Sequence, residues 1–303
     1  MLDGVSVDQL RTFIAAADEG SFSAAGRRLK RAQSVVSQTL ANLEGQLGVK
    51  LFDRSTRIPA LTDTGRALLP EARAAAGGMD LFRARARGLA GGLEPELGVV
   101  VDVMFPITAL TRAVVNFQIE FPATPLRLYV EGLGAVLEPV LDGSCAFGIM
   151  GTLPLAPPQL ARERLLSARI IMVAAPGHRL AAYQGPIPSA VLAEHTQLVL
   201  TDRSQMSKGR DFAVYAPKTW RLADLGAKHA FLRAGLGWGG MPLDAIEQDL
   251  ASGALVALAL EDSTYEQVGM VMSAFWRLDT PPGPAGRWLI ERLKEGHGPP
   301  PGP

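Results

Sequence analysis

Between Ser21 and Arg57 the chain carries two short amphipathic helices, each with an apolar stripe, and only Lys30 and Arg31 between the helices. That spacing restricts the local fold to a helix-turn-helix. Phe22, Ala25 and Leu29 form the first stripe, and Val36, Leu40, Leu43 and Leu47 form the second. Lys30 and Arg31 leave room for nothing longer than a tight connection. On the second helix Gln33, Ser34, Ser37 and Gln38 share a face turned away from the apolar stripe. Gln can donate to and accept from an adenine edge, and Ser lets a helix approach closely while still bonding a base or a phosphate. The same four residues would equally decorate an ordinary surface helix, so the surroundings carry the argument.

Val7 to Asp18 supplies a third helix, with Leu10, Phe13, Ile14 and Ala17 in step to cover the back of the pair. Leu51 to Leu61 reads as a short basic hairpin, or wing, in which Arg54, Thr56 and Arg57 can reach phosphate or a minor groove. Ser21 and Ser23 open the first helix of the pair with hydroxyls and free amides suited to phosphate. Residues 20–57 hold seven basic side chains, Arg31 among them, against two acidic ones, although the whole chain has formal net charge zero. Segregated positive charge of this kind is the footprint of nucleic-acid binding.

With these residues in view, the first 90 or so positions closely resemble the N-terminal domain of LysR-type transcriptional regulators. The match spans LRTFIAAADEGSFSAAGRRL, AQSVVSQTLANLEGQLGVKLFDR and LTDTGRALL, in the family's order and without gaps. The chain departs from the pattern at Ser34, where the family usually places Pro, and at Ala32, where Ser is common.

Thr62 followed by Asp63 has the form of an N-cap with an acid in the first turn, opening a long helix to about Leu89. Leu68, Ala72, Ala75, Met79, Phe82, Ala86 and Leu89 repeat in steps of four and three, the seam of a coiled coil. Pro70 and the pair Gly77 and Gly78 weaken it, and the alternative is a helix packed on its own domain. Around residues 88–98 glycine and proline mark a boundary.

Beyond it, Leu97–Val103, a helix through Leu110, Val114, Phe117 and Phe121, Leu126–Val130, a helix at Ala135–Leu141 and Ala146–Met150 alternate as βαβαβ. A second such unit is expected from Arg169 through Gln197–Thr201 and a helix at Ala223–Ala234 to Leu255–Leu258, with Glu266–Trp276 crossing back. The expected architecture is α/β overall: a winged helix-turn-helix over residues 1–61, a linker and dimerisation helix over 62–90, a two-lobed domain over 95–296, and a disordered Pro/Gly tail at 297–303. Lobe I takes residues 95–167 and 270–296, and lobe II takes 168–269. This half resembles the family's effector domain, itself similar to periplasmic solute-binding proteins, and FLRAGLGWGGMP (Phe231–Pro242) is close to a family signature.

The resemblance implies a cleft lined by Phe105, Ile107 and Thr108, by Glu131 and Gly132, by Thr201, Asp202 and Arg203, and more weakly by Trp238. Ile107 and Thr108 open a helix whose amides suit an anion, Arg203 is able to pair with one, and Met104, Phe105 and Pro106 favour apolar contact. An amphiphilic organic anion is the expected effector; a surface role for Arg203, paired with Asp202 or Asp224, is the competing reading. Also implied are a double-stranded promoter DNA partner and a homo-oligomer, a dimer and then a tetramer as a dimer of dimers, reading an inverted repeat.

No cofactor, metal or catalysis is expected. Gly235, Gly237, Gly239 and Gly240 follow a helix and precede a strand segment, the reverse of a dinucleotide loop, the four histidines lack ligand spacing, and no nucleophile motif stands out. Cys145 reads as a small buried hydrophobe. Without an export signal or a membrane-length apolar run, the expectation is a cytoplasmic protein away from the membrane, which disfavours a solute-binding receptor of the same fold.

Overall fold

The computed structural model describes residues 4–55, 59–151, 157–202, 204, 212–262 and 269–295. Thr56, Arg57, Arg203 and the 297–303 tail lie outside them. The chain separates into two compact units after Gly91.

The first unit opens with α1 (Val7–Glu19), whose N-cap Ser6 forms a reciprocal capping box with Gln9. Then come α2 (Phe22–Leu29), α3 (Gln33–Leu47), the two-residue strands β1 (Phe52–Asp53) and β2 (Ala60–Leu61), and α4 (Asp63–Ala90). Phe13, Phe22, Ala25, Val36, Leu40, Leu43, Leu51 and Phe52 make one core, as the stripes require. Phe52 meets Phe13 and Phe22 edge-on, with ring centroids 5.8 and 5.1 Å apart. Between α2 and α3 the turn is tight enough that a Cβ on Gly26 would lie 2.7 Å from the Arg31 carbonyl oxygen, so only glycine fits. β1 and β2 pair antiparallel as the root of the wing.

α4 is capped by the Thr62 hydroxyl, which accepts from Gly65 N at 2.9 Å. At 28 residues it runs about 42 Å. Its apolar seam has two fates. Leu68 and Ala72 pack into the core of their own unit, and Arg73 and Asp80 pair with Asp18 and Arg11 of α1. Leu81, Phe82 and Leu89 stay exposed, Phe82 by 67%. The seam therefore holds the helix to its own domain in the first half and offers an unpartnered apolar edge in the second.

In the second unit β3 (Leu97–Asp102), α5 (Ile107–Glu120), β4 (Leu126–Glu131), a 3-10 turn (Leu133–Val136), α6 (Glu138–Leu141) and β5 (Phe147–Met150) build the expected parallel βαβαβ. Pro139, which has no N–H to donate back along a continuous helix, divides the expected 135–141 helix into that turn and a single α-turn. β6 (Leu160–Ala168) runs on through Arg169 into β7 (Ile170–Ala174), and then follow α7 (Ser189–Leu192), β8 (Gln197–Leu200), β9 (Thr219–Leu222), α8 (Leu225–Arg233), β10 (Trp238–Pro242), α9 (Leu243–Ser252), β11 (Val256–Ala257), β12 (Met270–Arg277) and α10 (Pro284–Lys294). The lobe I sheet is ordered β4-β3-β5-β12-β6 and the lobe II sheet β11-β7-β10-β8-β9.

Lobe II corrects the expectation of a second all-parallel unit. β7 is antiparallel to β10 and β11, while β8 is parallel to β9 and β10. The chain crosses between lobes at Arg169 without turning, so β7 enters its sheet from the side opposite to strands that arrive after helices. The glycine-rich stretch is a central strand. A Cβ on Gly239 would lie 2.5 Å from the Leu198 carbonyl oxygen, a packing reason for glycine there. Among the described residues no helix is long and apolar enough to cross a membrane.

Candidate DNA-reading face and ligand cleft

α3 buries Val36, Leu40, Leu43 and Glu44 and exposes Gln33, Ser34 and Gln38, with Ser37 partly covered. The four residues read as a recognition face thus share one outward side. Val35, 47% exposed beside them, was not among them. An exposed β-branched residue flanked by Gln and Ser supplies the apolar contact that a thymine methyl takes. Gln38 Nε2 donates to Asn42 Oδ1 at 2.9 Å, which orients its amide along the helix.

Other predicted contacts have partners within the unit. Ser21 is the N-cap of α2, its hydroxyl accepting from Ala24 N at 3.1 Å. Ser23 is exposed and accepts from Arg27 Nη1 at 3.2 Å. Arg31 forks onto both carboxylate oxygens of Asp8, at 2.7 and 2.8 Å, and holds that carboxyl below the usual carboxylate range.

Arg54 is held by a residue that the sequence reading counted only as charge. Glu44 has a side chain 1% exposed, and its Oε1 accepts from Leu51 N at 2.8 Å and Phe52 N at 3.1 Å. Its Oε2 takes Arg54 Nη2 at 3.1 Å, while the Arg54 guanidinium lies 5.4 Å from the Phe22 ring centroid. One buried carboxylate thereby ties the end of α3 to the wing. Its signal was legible: an acid four residues after Leu40, on the buried stripe, with an arginine waiting in LFDR.

In the second unit the predicted cleft residues fall into two groups. Gly132 faces Thr201 and Asp202 across the lobes: a Cβ on Gly132 would lie 3.6 Å from Thr201 O and 3.9 Å from the Asp202 Cβ. Asp202 Oδ2 accepts from Ala135 N at 2.9 Å. Glu131 is exposed at the end of β4. Phe105 and Ile107 line a separate cavity of about 210 Å³ with Asp102, Leu225, Pro242 and Asp244.

The anion expected at the start of α5 is already there. Asp244 of α9 accepts from Thr108 N at 3.1 Å and from the Thr108 hydroxyl. A lobe II carboxylate therefore occupies the helix N-terminus that was read as free for a ligand. Trp238 is a second correction. Its side chain is 0% exposed in the lobe II core, with Nε1 directed at His195 O at 3.4 Å, so it packs the sheet and does not line the cleft. Alternation along β10 turns it inward.

The space between the lobes beside the crossover strands is a cavity of about 70 Å³, lined by Met104, Leu133, Met172, Phe212 and Met270 among others. Lys228 of α8 also lines it, and no motif in the sequence sets it apart from the other polar residues of that helix. Burial pushes its ammonium down to about 8. Burial also raises the Asp102 carboxyl to about 6, against hydrogen bonds from Met104 N at 2.9 Å and Gly151 N at 3.4 Å.

Residues 7–66 match the model of the bacterial regulatory helix-turn-helix protein, lysR family, and residues 90–298 match the LysR substrate binding domain. The HTH-type transcriptional activator AllS of Klebsiella pneumoniae is 29% identical over 254 residues, covering 82% of this chain and 94% of that protein. A probable hydrogen peroxide-inducible genes activator of Mycobacterium leprae is 34% identical over 202 residues, 64% of this chain and 61% of that one. Among solved structures, the Corynebacterium glutamicum OxyR C206 mutant superposes with a TM-score of 0.53 at 25% identity, covering 96% of this chain and 92% of that one. With a helix-turn-helix model matched over residues 7–66 and a substrate-domain model matched over residues 90–298 of the same chain, the protein belongs to the LysR family of DNA-binding, effector-responsive transcriptional regulators.

Proposed function

We propose that the protein acts in the cytoplasm as a homo-oligomer, and that paired α3 helices read an inverted repeat in promoter DNA. The observation that carries this reading is the outward face of Gln33, Ser34, Val35, Ser37 and Gln38, set against an apolar face that fixes the helix to its unit. Ser21, Ser23, Arg31, Arg54, Thr56 and Arg57 position the module on phosphates; Arg31 exchanges its Asp8 partner for phosphate in doing so.

Self-association is supported by apolar surface that a lone chain leaves wet. The second half of α4 offers Leu81, Phe82 and Leu89, and the edge strand β4 offers Leu128, Tyr129 and Val130. The effector enters between the lobes, where Gly132, Thr201 and Asp202 face one another, and its differential affinity for two lobe arrangements is what DNA binding reports. A thiol-based peroxide response has no reactive group to use at Cys145. That residue is 3% exposed, and burial raises its thiol to about 11, the unreactive protonated form at neutral pH.

The test is recovery of genomic DNA bound by the full-length protein, then affinity for the best fragment against scrambled DNA over a range of salt. Enrichment of an inverted repeat is expected. Gln33→Ala is expected to lose about 1–3 kcal/mol on that repeat and little on scrambled DNA. Arg57→Ala is expected to weaken both alike and flatten the salt slope. Equal loss on both DNAs for Gln33→Ala would remove its reading role.

A further inference from the structure

The cavity beside the crossover strands is apolar except for two polar side chains, and one of these is held by three hydrogen bonds. Gln197 Oε1 accepts from Tyr215 N and Ala216 N at 2.8 and 3.1 Å, and its Nε2 donates to Ala213 O at 2.7 Å. Lys228 is the other. It is 4% exposed, and its Nζ donates to Gly240 O at 2.7 Å. An ammonium has three N–H donors. Among the described residues that carbonyl is its one acceptor, and no carboxylate lies within ion-pair distance. A buried charge without a counter-charge is expensive.

We propose that Lys228 is the anion-reading group of the effector cleft, and that the effector is a small organic monocarboxylate whose carboxylate pairs with Nζ while its apolar body packs on Met104, Leu133, Met172, Phe212 and Met270. This rests on the reading of the lobes as a ligand sensor and supplies the chemical class of the ligand. The carboxylate satisfies the two remaining donors and the missing charge together. Three methionines make the apolar wall adaptable in shape, which suits a short aliphatic chain or a single ring. The cavity of about 70 Å³ sets the small size. This assignment replaces the start of α5 as the anion site, since Asp244 already occupies that helix end.

The same geometry gives a pH signature. Burial lowers Lys228 to about 8, and no charged neighbour contributes to the shift. β7, β8 and β10, which pack on α8, bring no ionisable side chain; β9 brings Arg221, and α8 itself carries Asp224 at its cap and His229 and Arg233, both on Asp249. A carboxylate binds the ammonium and not the amine, so affinity is flat from above the carboxylate's own titration, about 4–5, up to about 8 and falls roughly tenfold per pH unit beyond it.

The experiment uses the full-length protein with butyrate and benzoate as probes and butyramide and benzamide as uncharged controls, read by thermal unfolding and calorimetry. Carboxylates are expected to raise the unfolding temperature where amides do not. Their affinity should fall above pH about 8, and Lys228→Met should lose at least roughly tenfold in affinity, the change that 1.4 kcal/mol represents. The pH series on the unmutated protein keeps the proposal testable if the variant fails to fold. Equal response to amides and carboxylates, unchanged affinity in Lys228→Met, or no response to any probe overturns it. Repeat-specific DNA binding, measured separately, stands or falls without it. Carboxylate binding that leaves operator affinity unchanged keeps Lys228 as the site and removes the sensor role.

Discussion

At the scale of single residues, the buried ionisable groups are where this protein departs from an apolar core, and each has a separate job. Glu44 spends its carboxylate on two backbone amides and an arginine, so removing its charge strands all three. Glu44→Ala is expected to lower stability by about 3 kcal/mol, measured by urea unfolding, with the first unit unfolding earlier than the second. Asp102 shows the opposite economy. Its folded carboxyl titrates at about 6 against an ordinary 3.8, so the native state holds the proton more tightly than the unfolded chain. The contribution of Asp102 to stability is therefore fully present below about pH 4 and is lost as pH rises through about 6. The difference amounts to about 3 kcal/mol. Unfolding free energy of Asp102→Asn should lack this decline, and an identical pH profile in the variant would assign the effect elsewhere.

At the scale of elements, helix ends decide the contacts between the lobes. Asp244 sits at the N-terminus of α5, and Asp202 bonds Ala135 N in the 3-10 turn after β4. Each is a lobe II carboxylate on the positive end of a lobe I helix. The Asp244 contact is exposed, so its contribution is about 1 kcal/mol and is screened by salt. Asp244→Ala should lower the unfolding temperature of the second unit at low salt and leave it unchanged at high salt. α4 divides by element half: its first turns belong to the core of the first unit, and its last turns present Leu81 and Phe82. Replacing Phe82 with Glu should shift the full-length protein to a smaller species in sedimentation while leaving the helical content intact.

At the scale of the molecule, the reading helix was legible because its evidence is local. Helix stripes, a tight turn and a polar outer face all lie within about forty residues. Lobe I was legible for the same reason, since each βαβ step is short and its strands alternate with amphipathic helices. Lobe II was not, because strand direction there depends on how the chain crosses at Arg169, a fact about the two lobes together. The cleft was the least legible part. Thr108 and Trp238 were given to the ligand, but one is taken by a carboxylate 136 residues away and the other turns into a core. Lys228, four residues beyond the cap of α8, carries no mark in the sequence and is buried in the structure. Periodicity and turn chemistry act between near neighbours, so the family and the helix-turn-helix could be read along the chain. Which charges are buried, and what meets them, follows from the folded chain alone, because desolvation depends on every element that closes over a side chain.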